Sequence, residues 1–499
     1  MASGSQSSCP VVPTAPEGGD VAVLDGGGGR PRGRFGRPVA WLRATSPLQR
    51  DVIAYGLSAV FALGTLLFAG IPLYRQWGAM AVGPYAAAAL GTGVMARWWW
   101  WNDRAIRWAR AIALVVVLVG ATLVPLGLEV VWASQGNAAA HVQPEVLVVE
   151  HAGVRADAGK DPYQVVDRNG RILIHQSAEP VYELYYPYLP GMILFGFSAG
   201  SKVEARLTDA RLQFLVFTAA VSLFALSRLR PKSDARLRAA QALTILPTAA
   251  LPLATGGDDM PVVALMLLGL VALQRRRPVL AGLAMGAAAS LKFTAWPLVL
   301  LALWVTFDRS GRRAVGRYVA AVVAVVVPVV VPLALQNPAA FVDNVVRFPL
   351  GLAGVASPAA SALPGHLLVS AFPGVHRPYV VTVAALGAAF VLWFLWRHPP
   401  RSPADLARLC AGLMLAAIVL APATRVGYLL YPANLALWAW LLRQSEVPGD
   451  DVGHGEPSVG IRSWSDEVGQ SVWGTSNRTR AKGVVPVGVV GETIAPSSQ

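Results

Sequence analysis

The feature that most constrains this chain is the recurrence of apolar runs long enough to cross a lipid bilayer. A spanning helix needs about 20 apolar residues, and between residues 52 and 443 such runs follow one another with short breaks. By that measure the sequence predicts about twelve spans: 52–72, 79–97, 106–132, 209–228, 239–255, 260–274, 278–290, 293–307, 315–335, 377–396, 405–421 and 426–443. Inside hydrocarbon every backbone polar group must be satisfied within the segment. The fold class expected is therefore an all-α polytopic membrane protein. Only 14% of residues are charged, where soluble domains carry about 25%, so a string of soluble domains is excluded. The net charge of +14 then says little about nucleic acid, which is bound by a basic face on a soluble domain. No nucleic-acid partner is expected. Cys9 and Cys410 are too few and too far apart for a disulfide framework or a thiolate metal site. The sequence has no glycine-rich phosphate loop, His-Glu-x-x-His or Gly-x-Ser-x-Gly. No metal and no cofactor are expected.

Charge also orients the spans. The basic stretches are the N-terminal tail and residues 97–110, 228–238, 275–277, 309–317 and 397–408. With this number of spans they all fall on one side, which the positive-inside tendency makes cytoplasmic. The expected order is a disordered basic cytoplasmic tail (1–51), three transmembrane helices (52–133), an extracytoplasmic loop (134–210), transmembrane helices four to twelve (211–443) and a flexible cytoplasmic tail (444–499). This is a multi-pass cell-membrane protein with both termini inside. Residues 187–200 are apolar but short. Counting them as a span would turn the basic 228–238 stretch outward, so they are read as an interfacial or re-entrant helix. A break near Lys292 separates two short spans, because one continuous helix would put Arg309, Arg312, Arg313 and Arg317 outside.

The long loop is the most informative segment. Between residues 134 and 187 it holds seven of the 28 acidic residues and three of the seven histidines, with a tyrosine cluster at Tyr182, Tyr185, Tyr186 and Tyr188. Loops of this length are functional or disordered, and the aromatics argue against disorder. Glu145 and Glu150 lie in or beside the apolar stretch 144–149. A partly buried Glu has a raised pKa and can serve as a general base, and each also reads as an ordinary solvated carboxylate. Residues 159–163, with Asp161 and Tyr163, form a Gly-x-Asp-Pro-Tyr turn. The run Tyr185-Tyr186-Pro187-Tyr188 reads as an interfacial anchor or a sugar-stacking surface. Asp258 and Asp259 follow Gly256 and Gly257; they read as a polar turn or as ligands for hydroxyls or a cation. Lys292 is a cation at membrane depth, a candidate site residue or a snorkelling side chain. Arg347, His366, His376, Arg377 and Arg425 are cations on the outer face that can meet a phosphate.

In this order the features resemble bacterial glycosyltransferase family 87, of the C superfamily (GT-C) that uses polyprenol-phosphate sugars. The family has an acidic residue at the start of its first large extracytoplasmic loop, then a Gly-x-Asp-Pro-Tyr turn; here Glu145 and Asp161 look like these, 16 residues apart. A Tyr-Pro-Pro-Leu-like segment before an interfacial helix resembles residues 186–190. A polar turn ahead of an apolar hairpin resembles 255–259, a Lys-x-x-x-x-Pro element resembles 292–297, and a late aromatic-proline segment resembles 425–432. The resemblance covers roughly residues 136–442. Two departures stand out. Glu occupies the position usually held by Asp, and three spans precede the loop where the simplest layout has one.

The resemblance implies a GT-C-like fold and an inverting hexosyltransferase, mannosyltransferase-like. It implies a polyprenyl-phosphate sugar donor, a glycan or glycolipid acceptor, and contact with membrane lipid. Glu145 is the implied base, with Glu150 its rival. Lys292, His366 and Arg425 are implied partners of the departing phosphate, Asp161, Tyr163 and Tyr186 shape the loop around the sugar, and Asp258 and Asp259 contact hydroxyls. Two other readings stay open: a transporter or flippase for a lipid-linked sugar, and a non-catalytic transferase homologue.

Overall fold

The computed structural model describes residues 45–97, 102–136, 138–163, 181–200, 205–229, 233–353, 355 and 358–445. Nearly all of both expected tails, and the loop stretch holding Asp167, His175 and Glu179, lie outside the described residues. Within them regular structure is helical, apart from an isolated parallel bridge between Ala360 and Thr424. Eight helical segments are long and apolar enough to cross a membrane. This is the all-α polytopic membrane protein that the apolar runs predict.

The first three long helices form one group. Helix α1 (Pro47–Phe68) starts at a capping box: Ser46 Oγ accepts from Gln49 N at 3.2 Å, and Gln49 Oε1 accepts from Ser46 N at 2.8 Å, satisfying two otherwise orphaned N–H groups. Helix α2 (Pro72–Arg97) packs on it through Gly78, where an added Cβ would lie 2.7 Å from Ala62 O. Helix α3 (Asp103–Ser134) contains a π-helical stretch, Leu118–Leu123. Such a bulge shifts the carbonyl pattern, and here Trp77 Nε1 donates to Ala121 O at 2.8 Å.

Helix α4 (Pro144–Asp157) lies in the long loop and carries both Glu145 and Glu150. Residues 187–200, expected as an interfacial or re-entrant helix, form instead two 3-10 turns, Pro190–Phe195 and Phe197–Gly200. They are pulled in by Gly153 and Gly196, whose backbones touch so closely that a Cβ on Gly153 would sit 2.0 Å from Gly196 C. Leu189 N also donates to Leu291 O at 3.1 Å. Most of the first turn is consequently buried rather than spread on a surface.

Helices α5 (Ala210–Arg228), α6 (Ser233–Thr244) and α7 (Pro247–Thr255) lead to α8 (Asp259–Gln274). Helix α8 is buried on every face from Asp259 to Leu273, as expected of a helix that is apolar all round. Helix α9 (Pro278–Leu291) returns beside it and leans on α10 (Trp296–Gln336). A Cβ on Gly282 of α9 would meet Tyr318 O at 2.4 Å, so only glycine allows this approach. The expected break falls on Lys292, whose φ/ψ of −147°/149° is extended. The predicted spans 293–307 and 315–335 are the two helical halves of α10, separated where Gly311 leaves the helix at φ 77° and ψ 178°; the halves fold back on one another, and Tyr318 Oη donates to Val299 O at 2.8 Å. Helices α11 (Pro364–Ala371), α12 (His376–Arg397), α13 (Pro403–Leu420) and α14 (Leu430–Gln444) complete the chain. No residue of α12 is buried.

Candidate functional site

Two charged groups meet at the end of the helices where α4 begins. The first grows from the turn between α7 and α8. Gly256 closes α7 in the left-handed conformation at φ 115°, and a Cβ there would lie 2.2 Å from Val146 Cγ2. The turn thus needs glycine and packs against α4 one residue from Glu145. It delivers Asp258 and Asp259 to the start of α8. Lys292, in the extended break between α9 and α10, donates to both, at 2.7 Å to Asp258 Oδ1 and 2.5 Å to Asp259 Oδ1. Tyr431 donates to Asp259 Oδ1 at 2.7 Å, and Thr294 donates to Tyr431 Oη at 2.8 Å. The Lys292 ammonium lies 4.8 Å from the ring centre of Tyr188. All three charged side chains are buried. Burial opposes the ammonium, but Asp258 and Asp259 outweigh it and raise the Lys292 pKa.

The second group is the ion pair of Glu145 and Arg425. Gln143, just before α4, fixes the position of Glu145: its Nε2 donates to Thr255 Oγ1 at 2.7 Å and to Tyr74 Oη at 3.0 Å. Arg425 sits on an extended strip held against residues 359–361. Thr424 N donates to Ala359 O at 2.7 Å, Ser361 N to Thr424 O at 3.0 Å, and Val426 N to Ser361 Oγ at 3.1 Å. The Glu145 and Arg425 side chains remain 19% and 30% exposed. Glu145 Oε2 is enclosed with no hydrogen-bond partner among the described residues. The two groups adjoin where Gly256, ahead of Asp258, packs on Val146, the neighbour of Glu145.

The tyrosines line it. Asp161 holds its turn by accepting from Tyr163 N at 2.9 Å and from Asn337 Nδ2 at 3.1 Å. Tyr163 donates to Tyr188 O at 3.1 Å, and its ring packs edge-on against Tyr186 at 5.5 Å. Tyr186 N donates to Asn344 Oδ1 at 2.7 Å, while its hydroxyl is buried without a partner among the described residues. Burial keeps the Tyr186 and Tyr188 phenols well above their ordinary pKa.

The remaining candidates lie differently. His366 uses its ring on Pro422 O, three residues before Arg425, at 2.9 Å and on Ser370 Oγ at 3.3 Å. Glu150 lies about 140° around α4 from Glu145, where its Oε1 accepts from Ala210 N at the start of α5, at 2.9 Å. Burial raises its pKa to about 7, against the opposing pull of that N–H. Beside it stands a cluster that sequence reasoning missed. Arg211 is fully buried, forks onto Asp209 at 2.9 and 2.7 Å and reaches His141 O at 2.7 Å. His141 Nδ1 meets Glu129 Oε2 at 2.7 Å. The available signal was Glu129, an acid inside the third apolar run.

Residues 205–422 match the family model of glycosyltransferase family 87. Over this segment, less than half of the chain, the protein is similar to glycosyltransferase family 87. With its apolar helices it is a membrane glycosyltransferase. No curated protein matches the chain. The matched segment contains Asp258, Asp259, Lys292 and His366. Glu145, Asp161 and the tyrosines precede it, and Arg425 follows its end by three residues.

Proposed function

We propose that this protein transfers a hexose, mannose, from a polyprenyl-phosphate donor to a glycan or glycolipid acceptor on the extracytoplasmic face, with inversion at the anomeric carbon. Glu145 takes the proton of the acceptor hydroxyl. The acceptor oxygen attacks the anomeric carbon, and the bond to the phosphate oxygen breaks with its electron pair going to the polyprenyl phosphate. Arg425 receives the charge of that leaving group, as a guanidinium suits phosphate oxygens. The observation that carries this reading is the enclosed, unpartnered Glu145 Oε2, an acceptor beside a half-exposed arginine.

Lys292 has a different part in this reading. Its charge is committed to two buried carboxylates, so it locks the α7–α8 turn to the α9–α10 break. The free oxygens of that buried group and the tyrosine wall then face the sugar. Asp161 acts through Tyr163 on the same wall. Glu145 and Arg425 neutralise one another, and donor phosphate competes for Arg425 and releases the base.

The test uses membranes supplied with radiolabelled polyprenyl-phosphate mannose. Wild type should transfer label, Glu145→Gln should lose transfer, and Glu150→Gln should keep it. Transfer that survives Glu145→Gln would remove Glu145 as base. Label moved across liposome membranes with no transfer to any acceptor would favour a lipid-linked-sugar flippase.

A further inference from the structure

The opposite end of the same helices carries a second charged feature. Between residues 274 and 336 the sequence holds seven arginines and a single carboxylate, Asp308. Two stretches of that segment, far apart in sequence, converge. The turn from α8 to α9 and the last turn of α10 before its Gly311 break line one narrow pocket, with Arg276, Arg277, Arg309, Thr306 and Ser310 at its wall. The backbone is unusual on both sides. Arg276 has φ 52°, the one positive φ at a non-glycine among the described residues, and Gly311 has φ 77°. Left-handed backbone at such a residue is uncommon and worth a functional question.

The arginines are uncommitted. Arg275 points away, donating to Arg228 O. Among the described residues no ion pair reaches Arg276, Arg277 or Arg309, and Arg309 Nε is enclosed with no partner. The pocket measures about 10 Å³, room for one oxygen-sized atom. Such a pocket takes one oxygen of an anion while its other oxygens stay at the rim among the guanidinium groups. The flank is apolar: Val279, Leu283, Trp304 and Phe307 are 42–52% exposed on α9 and the first half of α10. A free anion has no use for that flank, whereas acyl chains do.

We propose that the pocket of Arg276, Arg277 and Arg309 binds the phosphate of an anionic membrane lipid, with the acyl chains lying along α9 and α10. Arginine forks make bidentate, charge-assisted bonds to phosphate oxygens. The site lies a full helix length from Glu145 and is independent of the transfer reaction. Lipid held there would brace the α8–α9 turn against the α10 break, and so fix the far ends of the helices that carry Asp259 and Lys292.

Native mass spectrometry of the full-length protein tests this, after exchange into detergent with phosphatidylglycerol or phosphatidylcholine at equal concentration. Wild type should retain phosphatidylglycerol preferentially. The pair Arg276→Gln with Arg309→Gln should reduce that retention about tenfold, roughly two lost charge-assisted bonds offset by remaining charge. Arg401→Gln, in another basic loop, should leave it unchanged. Inorganic phosphate at millimolar concentration should not displace the lipid. Equal retention of the two lipids, or an equal loss in Arg401→Gln, would reduce the feature to general charge and overturn the proposal. Displacement by inorganic phosphate would assign the pocket to a soluble anion and overturn it also. If the double variant is not recovered folded, the single change at exposed Arg276 must still lower retention, and unchanged retention counts against the site.

Discussion

Glu145 and Glu150 share one helix but meet opposite surroundings, and each carries a prediction. Glu145 keeps one oxygen on Arg425 and one with no partner among the described residues. General-base catalysis contributes about 10²–10⁴ in rate, so Glu145→Gln should lower kcat by about that factor and leave KM for the donor nearly unchanged. Arg425→Gln should raise the donor KM as well, because it removes a group that meets the phosphate; steady-state kinetics on both variants separates the two. Glu150 instead has its pKa raised from 4.5 to about 7 by burial. The fold therefore binds the proton more tightly than the unfolded chain. This contribution to stability is complete below about pH 4.5 and is lost as pH rises through about 7. Glu150→Gln keeps the acceptor for Ala210 N and cannot ionise, so it should unfold at a higher temperature than the parent at pH 8 and match it near pH 4.5. Melting curves in detergent across that range check the sign, and a parent that gains on the variant as pH rises would contradict it. Residue types of this kind were legible in the sequence, as Glu145, Asp258, Asp259, Lys292 and Arg425 stood out by position. Their pairing was not. Arg425 and Glu145 are 280 residues apart, and nothing local says which carboxylate a given cation will meet.

Among the elements, those that read well were the ones with a single dominant cause. Long apolar runs form helices because hydrocarbon demands it, and the break at Lys292 followed from charge. The 3-10 turns at 190–200 were not legible, because they depend on the Gly153–Gly196 contact between segments remote in sequence. The same holds for the joint between α1–α3 and the family-matched segment. Asp51 of α1 is wholly buried and accepts from Arg110 of α3 at 2.5 Å, from Arg238 of α6, and from Gln241 Nε2 at 2.9 Å. Removing one member of a buried ionic group leaves its partners uncompensated, at a cost of about 3–5 kcal/mol. Asp51→Asn should accordingly lower thermal stability strongly, and limited proteolysis should then cut between α3 and α5 sooner than in wild type. Asp103→Asn, in the exposed first turn of α3, is the control and should change neither. Equal resistance of Asp51→Asn and wild type would mean that apolar packing alone holds the group.

For the molecule as a whole, the two ends of the helix array differ in kind. One end gathers Glu145, Asp161, Asp258, Asp259 and the tyrosines, and the other gathers the arginines at 275–277 and 309–317. Helix α8 connects them, beginning at Asp259 and ending at Gln274, so the carboxylates of the site and the arginine turn belong to opposite ends of one helix. A basic excess favours the cytoplasmic side, which would turn the Glu145 end outward, the side where a lipid-linked sugar is met in the proposed reaction. Cysteine labelling of intact cells tests that orientation directly. The background is simple: Cys410 is buried, and Cys9 can be replaced by Ser. Lys160 and Ser310 are both exposed, at the end of α4 and in α10, so a cysteine at either position is open to a reagent without disturbing packing. Lys160→Cys should react with a membrane-impermeant maleimide in intact cells. Ser310→Cys should react only after the membrane is opened. The reverse pattern would put Glu145 inside the cell, and the donor would then have to be presented on the cytoplasmic leaflet. Labelling of both positions in intact cells would mean that the two ends of α8 do not lie across a membrane from each other, and the assignment of α8 as a buried span would fail with it.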